Sequence, residues 1–81
     1  MFKNKSESGQ NNICGKRIRD LRLRQLPRMS QRLLAARLQL LGFDLDKNAV
    51  QRIECGKRFV TDMELKAFAQ TFGTTCDALL E

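Results

Sequence analysis

The residues best equipped for chemistry lie between Asp46 and Arg58, in a segment whose pattern predicts one short helix followed by a loop. Asp46 is a good N-cap residue, and Gly56 is a good terminator just past the last turn. The polar side of this helix carries hydrogen-bond donors suited to phosphate oxygens and to the edges of nucleic-acid bases, namely Lys47, Asn48, Gln51 and Arg52. The pattern favours reversible recognition of a polyanion over covalent chemistry.

The sequence offers no set of residues for an enzyme site or a metal centre. It contains no His, and no nucleophile stands beside a candidate base. Its three cysteines, Cys14, Cys55 and Cys76, are odd in number and lack C-x-x-C spacing. We therefore expect no catalytic activity, no cofactor and no bound metal. Reduced thiols also favour a cytoplasmic location.

Membrane insertion and secretion are not expected from the sequence. No apolar run approaches the roughly 18 residues that a membrane-spanning helix needs. The first residues, Met1-Phe2-Lys3-Asn4-Lys5, lead into polar sequence instead of the apolar core of a signal peptide.

Charge is distributed unevenly along the chain. The 81 residues include 15 Lys and Arg against 9 Asp and Glu, a net charge of +6. Residues 1–58 hold 14 basic and 5 acidic residues, whereas residues 59–81 hold 1 and 4. A positive field confined to one part of a small domain attracts polyanions, of which nucleic acid is the commonest intracellular example. A basic surface kept for solubility is an equally good explanation. An acidic membrane surface is a weaker one, because no segment pairs a basic face with a bulky aromatic face.

A polar leader over residues 1–12 is predicted to precede a single folded domain over residues 13–81. The leader contains Ser, Gly and Asn, which is typical of a flexible segment. At the start of the domain, apolar residues recur at helical spacing and turn Ile18 and Leu21 inward. Pro27 is expected to end this first helix.

The second predicted helix begins at Ser30, a good N-cap residue, and ends at Gly42. Leu34, Leu38 and Leu41 follow the i, i+4, i+7 pattern of an inward face. The third helix is the segment described first, over about residues 46–55.

Two further helices complete the predicted fold. Thr61 and Glu64 form a capping box at the start of the fourth helix, and Gly73 ends it. A fifth short helix begins at Thr75. The apolar residues of these two helices are Leu65, Phe68, Ala69, Phe72, Leu79 and Leu80. With no period-2 strand and no internal repeat, we predict an all-α fold, a compact bundle of about five short helices.

Four short motifs follow one another along residues 13–81. They are Gly15-Lys16-Arg17-Ile18-Arg19-Asp20-Leu21-Arg22, then Met29-Ser30-Gln31 with Leu34-Ala35 and Leu38, then Val50-Gln51-Arg52-Ile53-Glu54-Cys55-Gly56-Lys57-Arg58, and last Leu65-Lys66-Ala67-Phe68-Ala69 with Phe72-Gly73. In this order they resemble the Cro/repressor-type helix-turn-helix family of phage and bacterial transcription regulators. The resemblance implies a lambda-repressor-like bundle in which helices two and three form the helix-turn-helix. The third helix would lie in the major groove of double-stranded DNA.

The resemblance assigns base-reading positions to the third helix. It places Lys47, Asn48 and Arg52 at these positions, with Gln51 nearby. The chemistry agrees, because Lys and Arg suit guanine O6 and N7 and Asn can pair with adenine through two hydrogen bonds.

The same resemblance assigns phosphate contacts to residues at the helix ends. Gln31 corresponds to a phosphate-contacting glutamine at the start of helix two, where free amides favour an anion. Lys57 and Arg58 correspond to a loop that contacts the DNA backbone. Arg32 replaces an acidic residue of the family and opposes the helix dipole, a cost that a nearby phosphate would relieve. For each of these residues, a solvated charged or polar side chain is the competing interpretation.

Four more residues correspond to family positions, three of them structural and one near phosphate. Arg22 and Glu54 match an ion pair between helices one and three, and losing either partner would strand a charge. Ala35 matches a position where helices two and three approach closely. Cys55 stands where the family often has a polar residue near phosphate, and a thiol is a poorer donor.

The chain departs from the family pattern in the spacing of its elements. Between Gln31 and Glu54 it is longer by more than one helical turn, with the extra residues around 39–44. We expect a longer second helix and an enlarged turn, with both helices kept in place. The link around residues 26–28 is also longer than usual.

These observations lead us to expect a sequence-specific regulator of transcription, a repressor, that binds double-stranded DNA as a homodimer on an inverted repeat. Dimer contacts would come from the apolar residues Phe59, Val60, Leu79 and Leu80, some of which must cover the core instead. The alternative of a different class is a protein-interaction module such as the antitoxin of a toxin-antitoxin pair, although no toxin-binding extension is evident. RNA binding is disfavoured because no aromatic stacking platform lies among the basic residues. No small-molecule ligand is evident.

Overall fold

The computed structural model describes residues 10–81, and this part of the chain is helical without any strand. Its five α-helices are α1 (Gly15–Leu23), α2 (Gln31–Leu40), α3 (Lys47–Glu54), α4 (Asp62–Phe72) and α5 (Cys76–Leu80). The predicted all-α class with about five short helices is confirmed. None of the helices in residues 10–81 combines the length and the apolar character needed to cross a bilayer. Residues 1–9 of the predicted leader lie outside the described residues.

Side-chain caps begin four of the helices at the residues predicted from the sequence. Ser30 accepts from the Leu33 amide, Asp46 from the Ala49 amide and Thr75 from the Ala78 amide. At α4, Thr61 and Glu64 form the predicted capping box, each side chain accepting from the other residue's backbone amide. These oxygens satisfy amides that have no partner within the helix, so each helix starts at a defined residue.

Glycines end α2, α3 and α4, also as predicted, each in the left-handed region. At the end of α3, Gly56 has φ +77°, and its amide donates to the Ile53 carbonyl over 3.0 Å. The next amide, that of Lys57, donates to the Arg52 carbonyl over 2.8 Å. This pair of bonds is a Schellman motif, and it needs a residue that adopts positive φ without strain.

The core is aliphatic with one large aromatic ring at its centre. α2 packs on α3 and α4, and α1 packs on α3, α4 and α5. The fully buried side chains come from all five helices, from the residue before α1 and from the link between α2 and α3, and they are Cys14, Ile18, Leu34, Leu38, Leu45, Val50, Ile53, Phe68 and Leu79. Their removal from water is the main favourable contribution to folding.

α1 ends earlier than the sequence predicts. It stops at Leu23 with Arg24 as its C-cap, four residues before Pro27. The Gln25 side chain donates to the Leu21 carbonyl over 3.2 Å and so satisfies a carbonyl of the last turn of α1. The chain then folds back so that Met29 becomes buried. Proline also disfavours the helical conformation in the residue before it, so the break begins at Leu26 at the latest and not only at Pro27.

The expectation that Leu41 faces the core is wrong. Leu41 is the C-cap of α2 and is 40% exposed, whereas Leu45 is 1% exposed and occupies the core beside α2. The reason is the turn at Gly42, whose φ of +92° changes the direction of the chain directly after Leu41. Leu41 therefore no longer continues the inward face of α2. The Gln39 side chain holds this segment by donating to the Leu45 carbonyl over 3.1 Å.

Candidate nucleic-acid interface

α3 separates an apolar side from a polar side. Val50 and Ile53 are fully buried against the other helices. The four residues predicted to read bases, Lys47, Asn48, Gln51 and Arg52, are all exposed. An α-helix with its side chains is about 10–12 Å in diameter, close to the roughly 12 Å width of the B-DNA major groove. The exposed side of α3 therefore has the size and the donors that base recognition requires.

A groove lined by positive charge lies at the N-termini of α2 and α3. The cations that line it are Arg19, Arg22, Arg28, Arg32 and Lys47. No acidic side chain belongs to the described lining, which is completed by Leu23, Met29, Ser30 and Gln31. The amides of Gln31 and Arg32 have no hydrogen-bond acceptor within residues 10–81. Ser30 accepts only from the amides of Leu33 and Leu34. Free amides, the helix dipole and cations here all favour an anion.

The buried ion pair of Arg22 and Glu54 stands behind this groove. Arg22 Nε donates to Glu54 Oε2 over 2.7 Å, and Nη2 donates to Oε1 over 3.0 Å. Arg22 is 8% exposed and Glu54 is 7% exposed. A third guanidinium donor, Nη1, bonds to the Met29 carbonyl over 3.2 Å. One side chain of α1 thus holds both the end of α3 and the loop before α2, so it determines where these elements meet.

Gln31 belongs to the same network. Its side-chain amide donates to Glu54 Oε1 over 3.0 Å and is only partly exposed. The contact leaves the second amide hydrogen and the backbone N–H of Gln31 as donors for a phosphate. The predicted phosphate contact is compatible with this geometry and stays a prediction.

Lys57 and Arg58 lie at the opposite end of α3 and differ in their surroundings. Lys57 is exposed, whereas Arg58 bonds to Glu64 through Nη1 (3.0 Å) and Nη2 (3.2 Å) and to the Phe59 carbonyl (2.9 Å). Burial alone would raise the pKa of Glu64, but the hydrogen bonds from Arg58 and from Thr61 outweigh it and lower that pKa below its ordinary value. A phosphate would have to compete with Glu64 for Arg58, so Lys57 is the more available cation.

Two asparagines that the sequence placed in the leader hold this end of α3. Asn11 bonds to the Lys57 carbonyl, and Asn12 bonds to the carbonyls of Ile53 and Arg58. Asn11 and Asn12 therefore belong to the folded part of the chain. One contact of Asn12 could be predicted from the local sequence, because its Oδ1 accepts from the Gly15 amide only three residues on. The contacts with residues 53–58 have none, because they join segments more than forty residues apart.

Arg19 and Arg28 are further functional candidates that sequence reasoning missed. Each looks like an ordinary solvated charge in the sequence, on α1 and in the loop after it. They meet Arg32 and Lys47 only because the loop over residues 24–30 folds back across α1. Only the three-dimensional structure brings these four cations to one groove.

The cysteines are free, and their environments differ. Cys14 is buried, and burial raises the pKa of its thiol to about 11, which keeps it protonated and unreactive at neutral pH. Cys55 is exposed at the C-cap of α3, and Cys76 is half-buried. Residues 10–81 contain no group of three or more His, Cys, Asp or Glu side chains placed to hold a metal ion.

No protein-family model, curated protein or solved structure matches this chain. The resemblance to helix-turn-helix regulators therefore rests on the four sequence motifs.

Proposed function

We propose that this protein is a sequence-specific double-stranded DNA-binding regulator of transcription, acting as a repressor. α2 and α3 form its helix-turn-helix, and the exposed side of α3 enters the major groove. The observation that carries the proposal is the cationic groove at the N-termini of α2 and α3, which lies directly beside the exposed donors of α3. Two sources of positive potential, the helix ends and the side chains, act on the same space.

The arrangement along α3 supports this assignment. Cations lie at both ends of the helix, with Arg32 and Lys47 at its start and Lys57 after its end. The exposed donors of Asn48 and Arg52 stand between them. The eight residues of α3 span about 12 Å along the helix axis. The two phosphate backbones that border a major groove are separated by a similar distance, a groove width of about 12 Å. One binding pose can then place a backbone at each end of α3 and base edges at its middle.

Each set of residues has a separate task in this proposal. Base edges are contacted by Lys47, Asn48, Gln51 and Arg52, whose donors discriminate between bases. Phosphates are contacted by Gln31, Arg32, Lys57 and Arg58, together with Arg19 and Arg28 of the cationic groove. Arg22 and Glu54 hold the relative positions of α1, α2 and α3 without touching DNA.

We further propose that the protein binds an inverted-repeat operator as a homodimer. Leu79 is fully buried in the core, so the apolar residues left for an interface near the C-terminal half are Phe59 and Leu80, with the half-buried Val60 at their side. Such an interface is small. It predicts a monomer in dilute solution that dimerises on DNA, where the two half-sites hold the subunits together.

Selection of bound sites from a random duplex library tests this function. We expect an inverted repeat whose half-sites are centred about ten base pairs apart, one turn of the double helix. Recovery of no consensus at moderate salt would contradict sequence-specific binding.

A second candidate function, a protein-interaction module such as an antitoxin, is favoured by one observation. Leu40, the last residue of α2, is 87% exposed, and its C-cap residue Leu41 is 40% exposed, both beside Arg37. DNA recognition has no use for these apolar side chains. Serine at both positions separates the two functions. DNA selection by the L40S/L41S variant should be unchanged if DNA is the principal partner.

A further inference from the structure

Two adjacent asparagines donate hydrogen bonds to four carbonyl groups at the end of α3 and in the loop after it. Asn12 Nδ2 bonds to the Ile53 carbonyl over 3.1 Å and to the Arg58 carbonyl over 2.7 Å. Asn11 bonds through its backbone N–H to the Gly56 carbonyl and through Nδ2 to the Lys57 carbonyl, each over 2.8 Å. We call residues 10–12 the strap, because they lie across the loop over residues 56–58.

The strap packs closely as well as bonding. A Cβ atom at Gly56 would lie 2.8 Å from the Gln10 side chain, so the strap rests directly on the glycine that ends α3. At Gly15, a Cβ would overlap the Ile53 carbonyl oxygen and come within 2.8 Å of Asn12 Oδ1. Only glycine fits at this meeting point of α1 and α3. The loop is therefore held by the start of the folded chain and not only by its own Schellman motif.

The donors have an electrostatic effect on a phosphate-binding loop. The C-terminal end of α3 carries the negative end of the helix dipole and carbonyls without partners inside the helix, both of which repel phosphate. One of the four acceptors, the Ile53 carbonyl, belongs to the last turn of α3, and the other three belong to the loop over residues 56–58. The four donated hydrogen bonds offset the negative potential of these carbonyls. Asn11 Oδ1 is buried without a hydrogen-bond donor in the part of the chain that is described, so Asn11 acts here through its N–H groups.

The strap also fixes the position of Lys57. The Lys57 amide donates to the Arg52 carbonyl, and the Lys57 carbonyl accepts from Asn11, so both peptide groups of this residue are held. Its side chain remains exposed. A loop that is ordered before binding loses less conformational entropy when it meets its ligand.

We propose that Asn11 is a positioning residue for DNA binding, which places Lys57 and the loop over residues 56–58 against the DNA backbone. Asn12 supports it from the α1 side. This inference rests on the proposed function, since it names how one phosphate contact of that function is held. Asn11 has no charge, and its effect on DNA is exerted through Lys57.

The experiment is a double-mutant cycle on duplex affinity measured over a series of salt concentrations. Its variants are Asn11→Ala, Lys57→Ala and the double variant, with Gln70→Ala, an exposed amide on α4, as the matched control.

We expect Asn11→Ala to weaken binding by about twofold to tenfold, the range of one hydrogen bond. Lys57→Ala should make the salt slope shallower by about one unit. Asn11→Ala should move the slope in the same direction although it removes no charge, and the double variant should lose less than the product of the single losses. Gln70→Ala should change none of these quantities.

The outcomes separate the two proposals. Wild-type binding with a steep salt slope, together with an unchanged slope for Asn11→Ala and additive losses in the cycle, would overturn the positioning role and leave the proposed function standing. Wild-type protein that binds no duplex would overturn both. If Asn11→Ala lowers the melting temperature into the assay range, Asn11→Ser replaces it, because serine is polar but too short to reach the Lys57 carbonyl.

Discussion

The helices α2 and α3 begin differently from α4 and α5. α4 has Asp62 and Glu64 in its first turn, and α5 has Asp77, so their own side chains balance the positive end of the helix dipole. α2 and α3 have no acidic residue in the first turn and carry Arg32 and Lys47 there. The acids near these starts are Asp46, which caps α3, and the buried Glu54, which is paired with Arg22 and accepts from Gln31. All four helices are capped by a side chain, so the difference lies in charge and not in hydrogen bonding. The half of the molecule formed by α4 and α5 therefore has acids in its first helical turns, whereas the half formed by α1, α2 and α3, which we call the basic half, has a cation in the first turn of α2 and of α3.

The two ion pairs found within residues 10–81 also differ, in their burial and in the elements that they join. Arg22 and Glu54 are buried and join three elements of the basic half. Arg58 and Glu64 are partly exposed and join the basic loop to the capping box of α4. Water can replace a lost partner in the second pair but not in the first.

The largest expected effect follows from breaking the buried pair. Arg22→Ala leaves Glu54 as a buried charge without its guanidinium, and we expect a loss of about 3 to 5 kcal/mol in the free energy of unfolding. Arg58→Ala is the matched control, with an expected loss of about 0.2 to 1 kcal/mol. Urea denaturation of both variants measures the difference. Equal losses would show that the two pairs do not differ as their burial indicates.

A second comparison separates the proposed base-reading residues from the proposed backbone contacts. Arg52→Ala or Asn48→Ala should cost about 1 to 3 kcal/mol on the preferred duplex and much less on a random one, because a base-edge contact is lost. Lys57→Ala should weaken binding to both duplexes alike. Affinities on matched specific and random duplexes measure this contrast. A uniform loss for Asn48 and Arg52, with a sequence-dependent loss for Lys57, would mean that the two roles are assigned backwards.

Reversing the charge at a helix start sharpens the comparison between the halves. Arg32→Glu places an acid in the first turn of α2, so stability should rise by about 0.3 to 1 kcal/mol while duplex affinity falls. Asp62→Arg in α4 should lower stability by a similar amount and leave affinity unchanged. Thermal melting and a binding titration on each variant give both quantities. A gain of stability for Arg32→Glu with unchanged affinity would remove the groove from the DNA contact.

The smallest expected effect concerns the capping box. Because the folded-state pKa of Glu64 lies below its ordinary value of 4.5, its ionised form stabilises the fold above that value, and this contribution is lost as the pH falls through the folded-state pKa. Glu64→Gln should therefore be less stable than wild type at neutral pH. Melting temperatures measured from pH 7 downward should converge in acid. A difference that stays constant with pH would show that charge at Glu64 contributes nothing.

The starts of α2 to α5 and the ends of α2, α3 and α4 could be predicted because their signals are local. Ser30, Asp46, Thr61 and Thr75 each bond to an amide three residues on, and a glycine terminator acts within one turn. Leu41 and Leu45 could not be sorted in the same way. Which of them enters the core depends on where the chain points after Gly42, and helical periodicity carries no information about that direction.

The candidate site was predictable on α3 and much less so around it. The exposed donors of α3 follow from the positions of Val50 and Ile53, since one buried side of a helix defines the other. Arg28 and Asn11 were beyond prediction because their partners are distant in the chain. Their positions depend on the loop over residues 24–30 and on the strap, whose contacts are made only in the folded state.

The salt dependence of duplex binding by the wild-type protein tests the central claim most directly. If each subunit neutralises about three phosphates through the two cationic ends of α3, a dimer should show a slope of roughly −5 in a plot of log affinity against log salt concentration. Arg32 and Lys57 should account for part of that slope when each is replaced by alanine. A slope near zero would contradict the account, because it would remove nucleic acid as the principal partner of the basic half.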